Sequence, residues 1–299
     1  MKWNPIFQKE TKASARSFRV PLLITVFNSI LSIAALFNMY SVMEQVKMTA
    51  EVRYSSFLEL YIFVASIEFI LIIFLMPSIT AGSISGERER RTLDLMLTTN
   101  MSTEQIIMGK MMASLQTVLL LLVSSLPVLA LVFVYGGVDG KDLILLLGYF
   151  AVTALFIGSM GLCFSALFGK TMLSSVVTYA ATLILVAGTY AFNRFFYSMT
   201  QFGQSSYGMI QDTAPKAGAG CYLLLLNPAV TFYVLINKQA GSNQVMEQFE
   251  RHFGVLQAEW IGQHWVGISV ILQIVLSILF LKLAAYAIEP VKQKRQRES

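Results

Sequence analysis

Charge is what this 299-residue chain has little of: Asp, Glu, Lys and Arg make up 13% of it, about half the share usual in a soluble domain. With 56% hydrophobic residues, it cannot cover its apolar groups with polar ones. That excludes an ordinary soluble globule of one or two domains. Cysteine is nearly absent. Cys163 lies inside an apolar run and Cys221 outside one, and such a pair builds neither a disulfide framework nor a thiolate metal site. The two histidines, His252 and His264, form no HExxH or related spacing. The apolar runs hold no paired aspartates, zinc motif or serine–histidine pairing, so no enzymatic chemistry is expected on this chain. No internal repeat and no low-complexity tract occur. The first 19 residues are polar and the first apolar run is long enough to span, so no cleavable signal peptide is expected.

What is present is a series of long apolar runs: 20–43, 60–86, 111–135, 143–169, 172–192 and 265–281. Each approaches or exceeds the roughly 20 residues that carry a helix across a bilayer. The expected fold is an all-α integral membrane protein with six transmembrane helices, one transmembrane domain over 1–299. Asn28, Ser29, Ser32 and Asn38 interrupt the first run; they are expected to face a partner helix, because lipid offers their polar atoms no hydrogen bonds. Pro77 should kink the second, and Pro127 lies inside the third. Glu68 stands alone in the second run. An intramembrane carboxylate is costly and so a functional candidate; the other reading is a hydrogen-bonded glutamate in a helix contact. Gly161, Ser165 and Gly169 recur every four residues, a stripe that lets helices pack closely. Gly169-Lys170-Thr171 has the ending of a phosphate-binding loop, but Phe164 stands where that motif needs glycine. Nucleotide binding on this chain is rejected.

The charges lie between the runs. With the N-terminus inside, segments 1–19, 87–110, 170 and 282–299 hold fifteen of the 22 Lys and Arg. The positive-inside rule then puts both termini in the cytoplasm and 193–264 outside. Within that outer segment, 217–237 is uncharged. A full crossing there would carry the basic C-terminal tail outside, so it is expected as a re-entrant or interfacial helix pair broken at Asn227-Pro228. Val245, Phe249, Phe253, Leu256 and Trp260 mark one face of a following amphipathic helix. At the other end, Asn4-Pro5 is a helix start, with asparagine as cap and proline at the first helical position.

The densest polar stretch lies between the second and third runs. Glu87, Arg88, Glu89, Arg90 and Arg91 are five consecutive charges. Leu93, Met96 and Leu97 follow at i, i+3 and i+4, one face of a helix. Glu87 precedes Arg91 by four, the favourable order for a helical ion pair. Ser102 with Gln105 reads as a capping box opening the next helix. A solvated loop needs no apolar face. A helix with a charged entry and an apolar face outside the bilayer predicts that something docks there.

This stretch, GERERRTLDLMLTTNMSTEQIIMGK, resembles the segment between the second and third spans of ABC-2 type transporter permeases, the membrane subunits of ABC exporters. Gly86, Glu87, Glu89, Arg90, Thr92, Leu93, Leu95, Leu97, Thr98, Ser102 and Lys110 fit the family pattern. Asn100 stands where the family usually has proline. The resemblance implies a coupling helix over 87–99, where Glu87, Arg88, Glu89, Arg90, Arg91, Thr92, Leu93, Met96 and Leu97 meet a groove in a separate ATPase subunit. It also implies an interfacial helix within 1–19 and a homodimer or heterodimer with a second permease. ATP and magnesium would sit on the partner, with no cofactor on this chain and no nucleic acid. The location implied is the cell membrane, the activity ATP-driven export. The alternative is an ATP-independent secondary transporter using Glu68 as its ion or proton site. Inverted repeats would mark that design, and none is found.

Overall fold

In a computed structural model of the protein, the residues described are 4–49, 54–99, 101–136, 139–205, 220–241 and 255–289. Among them every regular element is helical. Helix α1 (Pro5–Arg16) starts as the sequence predicts, with Asn4 Oδ1 accepting from the Ile6 N–H at 3.0 Å. There follow α2 (Arg19–Thr49), α3 (Tyr54–Thr80), the short α4 (Ser85–Glu89) and α5 (Leu93–Leu97), α6 (Thr103–Gly136) and α7 (Gly140–Leu167). Helix α8 (Thr171–Leu183) runs through a π turn (Ile184–Gly188) into α9 (Thr189–Ser205). Then come α10 (Gly220–Leu223), a 3-10 turn (Leu224–Leu226), α11 (Pro228–Gln239) and α12 (Val255–Ala287).

Among the described residues six stretches are long and apolar enough to cross a membrane: Arg19–Glu44, Leu58–Glu89, Thr103–Ala130, Gly140–Leu167, Thr171–Phe196 and Gly262–Ala287. These are the six predicted spans. The helices themselves run further than the apolar runs, α9 to Ser205 and α12 from Val255. Hydropathy marks only the part of a helix that lipid can cover, whereas the backbone ladder continues through polar residues of adequate propensity.

The chain divides into two compact units, Met1–Tyr179 with Leu276–Ser299, and Ala180–Val275. In the first, α3 is central and packs on α6 and α7. Its buried residues Val64, Ala65, Phe69, Ile72 and Met76 follow helical spacing, and the Phe69 and Phe150 rings lie 6.0 Å apart. Ile33, Leu36 and Phe37 of α2 are about two-thirds exposed. A largely apolar face of this kind suits hydrocarbon, not water. Of the polar residues expected to face a partner helix, Asn28 of α2 donates to Ser124 Oγ of α6 at 2.9 Å, but its Oδ1 and that of Asn38 have no hydrogen-bond partner among the described residues, and Ser29 is exposed. Pro77 lies three residues before α3 ends; the chain turns at 81–84 before α4. Close approach is concentrated on α7. A Cβ at Gly158 would fall 2.2 Å from Met76 Cε, and one at Gly161 2.2 Å from Thr80 Oγ1.

In the second unit the chain breaks at Asn227-Pro228, where the sequence predicts it. Asn227 is buried and extended. Its Oδ1 accepts from the Ala229 N–H at 2.8 Å, capping α11, and its Nδ2 donates to Val186 O and Thr189 Oγ1, both at 2.8 Å. The π turn loosens the helical ladder around Val186, and the asparagine takes up a carbonyl there. Ser269 Oγ of α12 donates to Leu225 O at 2.7 Å and lies 2.6 Å from Thr231 Oγ1. Polar side chains thus satisfy the backbone at the break, the condition for non-helical chain in an apolar setting. Of the predicted amphipathic helix, Val245, Phe249 and Phe253 lie outside the described residues; Leu256 and Trp260 fall in the first turns of α12.

Candidate functional site

The polar stretch after α3 is two short helices, not one. Helix α4 ends at Glu89, and Arg91 takes a left-handed φ of 57°. Thr92 N–H returns to Glu87 O at 2.9 Å before α5 begins. The predicted Glu87–Arg91 helical pair therefore does not form. Glu87 instead meets Lys110 Nζ of α6 at 3.4 Å and accepts the Thr92 hydroxyl. Lys110, only 5% exposed, also pairs with Glu10 of α1 at 3.2 Å. The energetic reason favours the break. A continuous helix would turn Glu87 toward Arg91 and deprive a nearly buried ammonium of a counter-charge, a costly arrangement.

The next two charges hold the turn between α7 and α8. Arg88 Nη2 donates to Ala166 O, in the last turn of α7, at 3.1 Å. The Glu89 carboxylate accepts from Thr171 N–H at 2.8 Å and from Thr171 Oγ1 at 2.9 Å, at the first turn of α8. A cation at a helix C-terminus and an anion at an N-terminus both match the helix dipoles. Beneath them, Ser165 Oγ accepts from the N–H groups of Ile84 and Ser85 at 2.9 and 3.0 Å. Ser174 Oγ donates to Ala81 O at 2.7 Å. The bend between α3 and α4 is thus satisfied by serines from α7 and α8.

Of the predicted small-residue stripe, Gly161 lies at a close helix contact and Ser165 is a hydrogen-bonding group. Gly169 lies beyond the end of α7, exposed, with only the Arg88 stem within reach at 3.9 Å. The capping box forms: Ser102 N–H donates to Gln105 Oε1 at 3.2 Å, and Gln105 N–H to Ser102 Oγ at 3.3 Å.

The predicted apolar face divides. Leu93 is 2% exposed and belongs to the chain's own core; Met96 and Leu97 are half-buried. Leu95 is 67% exposed, flanked by exposed Arg90, Arg91 and Asp94. A five-residue helix has one inward face, and Leu93 occupies it. Glu10, Ser85, Ser174 and Thr171 were missed in the sequence as members of this site. Their partners lie from 80 to 100 residues away or in another helix, so no local periodicity marks them.

Glu68 is not part of this cluster. Twelve helical residues separate it from Thr80, about 18 Å of helix axis. It is fully buried in α3; Ser125 Oγ of α6 donates to Oε1, and Oε2 has no hydrogen-bond partner among the described residues. Ser125 Oγ also lies 2.9 Å from Leu122 O, so its single proton serves two acceptors.

A family model described as ABC-2 family transporter protein matches residues 8–286. No curated protein matches the chain.

Proposed function

This chain belongs to the ABC-2 family of transporter proteins, and we propose that its six spans form the pathway of an ATP-driven exporter powered by a separate ATPase subunit. In this reading ATP and magnesium sit on the partner, and 87–99 is the segment on which the partner rests. The observation that carries it is the two-sided character of that segment. Lys110, Arg88, Glu89 and Leu93 tie it to α1, α6, α7 and α8 and to the core. Arg90, Arg91, Asp94 and Leu95 stay exposed on the other side. A push on the exposed ridge reaches several helices at once through ion pairs and charge-assisted hydrogen bonds.

The whole chain serves as one transmembrane domain, paired with a second permease as homodimer or heterodimer. Both termini are cytoplasmic, α1 lies at the membrane interface, and 193–264 is the outer segment with its re-entrant part at Asn227-Pro228. The spans carry few polar side chains, which favours an apolar or amphipathic cargo.

Co-purification of the tagged permease with its ATPase tests the docking. Truncating an interface anchor costs about 2 kcal/mol, a factor of roughly 30, so Leu95→Ala with Leu97→Ala should lose most of the ATPase and most transport. Leu93→Ala should instead lower the permease's own thermal stability, by about 2–5 kcal/mol for a core leucine. Normal ATPase retention and transport by the Leu95/Leu97 variant would overturn the docking.

The unpartnered Oε2 of Glu68 supports a second reading, an ATP-independent transporter with Glu68 as its ion or proton site. Transport by the purified permease alone, in vesicles with an ion gradient and no ATPase, would decide for it.

A further inference from the structure

Beside the docking segment lies a cavity of about 300 Å³, walled by α1, the start of α2, the α3–α4 bend and α6. That volume is at the lower end of ligand pockets. One wall carries Lys110, held by Glu10 at 3.2 Å and Glu87 at 3.4 Å. An ammonium has three donors, and these carboxylates engage two. Ser83, Ser114 and Thr117 also line the cavity, but each donates its hydroxyl proton to a carbonyl one turn back. That leaves Arg19 and Arg90. Both line the cavity and both are exposed. Neither guanidinium has a hydrogen-bond or ion-pair partner among the described residues. Three cations thus face two carboxylates that are already committed to one of them.

We infer that this cavity binds a phosphate ester through Arg19 and Arg90, with Lys110 beside them. Two guanidiniums offer planar forks that match phosphate oxygens two at a time, which a single ammonium does not. The surroundings indicate which phosphate. Arg19 is the first residue of α2, and beside it Phe18 is 78% exposed. Leu22 and Val26 continue an exposed apolar strip one and two turns along. The cavity therefore opens where a polar helix gives way to a lipid-facing one. An anionic phospholipid would place its phosphate on the arginines and its chains along that strip. Attraction of basic residues to anionic leaflets acts in the same direction. The site shares Arg90 with the exposed ridge of 87–99, so it is tested on the permease without an ATPase, where its outcome does not depend on docking.

The test uses the full-length permease in detergent, with lipid retention read by native mass spectrometry and stability by thermal unfolding. The probes are dioleoylphosphatidylglycerol, dioleoylphosphatidylcholine and inorganic phosphate. The site variant is Arg19→Gln with Arg90→Gln. The control is Lys12→Gln with Arg16→Gln, two exposed charges of α1 that do not line the cavity. Wild type and control should retain phosphatidylglycerol over phosphatidylcholine, and the site variant should retain about tenfold less, the worth of one charge-assisted contact. Arginine-dependent stabilisation by inorganic phosphate, without phosphatidylglycerol retention, would keep the phosphate site and identify its ligand as a soluble one. Equal behaviour of site variant and control toward all three probes would overturn the proposal. Both arginines are exposed and have no protein partner among the described residues, so the site variant should unfold at the wild-type temperature without lipid; a large fall there would overturn the proposal by showing that they hold the fold instead.

Discussion

Glu68 shows how one side chain can define a question for the whole pathway. A carboxylate is buried in the central helix with a single hydroxyl donor, Ser125, and one oxygen without a partner. An unsatisfied buried polar atom costs about 1–3 kcal/mol, and an ionisable residue kept at that cost within a span is a functional candidate. Glu68→Gln keeps the shape and the acceptor for Ser125 but removes the titratable proton. We expect it to insert, assemble and unfold like the wild type, and to transport more slowly, measured as cargo flux at matched protein in vesicles. Flux equal to wild type would leave Glu68 as a helix contact only. Leu93 makes the complementary point. Its apolar character was evident, but whether it faced a partner or its own chain depended on where the rest of α5 came to lie.

Among the elements of the first unit, α7 carries the tightest helix contacts. Gly158 and Gly161 both leave no room for a Cβ, with nearest atoms at 2.2 Å, yet their substitutions should differ. At Gly158 the obstructing atoms are the Cε ends of Met76 and Met111. Those flexible thioethers can swing aside, and alanine's better helix propensity, worth about 1 kcal/mol, offsets the cost. At Gly161 the obstruction is Thr80, whose Cβ is 3.1 Å away and whose hydroxyl is bonded to Met76 O at 2.8 Å. A β-branched side chain so held cannot rotate cheaply. Gly161→Ala should therefore destabilise by about 1–3 kcal/mol, with Gly158→Ala near neutral. Gly169→Ala, where the nearest atom is the far part of an arginine stem, should lie within about 0.5 kcal/mol of wild type. Thermal unfolding in one detergent gives the order. A Gly158 variant weaker than the Gly161 variant would contradict this account of the packing.

At the scale of the molecule, the proposed topology rests on six crossings, an even count. Among the described residues six stretches are long and apolar enough to cross, and the uncharged stretch around Asn227-Pro228 contributes the short α10 and the twelve-residue α11. Single cysteines at Val245 and Arg295, in a background lacking Cys163 and Cys221, should label with an impermeant maleimide from opposite sides of sealed vesicles. Labelling of both from the same side would require an odd number of crossings between them to be replaced by an even one, and the proposed orientation would fall.

By itself the sequence determined the apolar and helical part of this protein. Run length set six spans, because a span is a contiguous stretch of about 20 apolar residues; Asn4-Pro5 and Ser102 with Gln105 set helix starts, and Asn227-Pro228 set a break, because caps depend on neighbours within about one helical turn. The family resemblance, too, was carried by consecutive residues from Gly86 to Lys110. Only the tertiary structure decided what the charges do. Glu87 was read with Arg91, its helical neighbour, yet it pairs with Lys110, and Arg88 and Glu89 turn to the ends of α7 and α8. A charge in a thinly charged protein goes to whichever counter-charge or helix end the packing brings within reach. That choice is made by three-dimensional proximity, which sequence spacing does not encode.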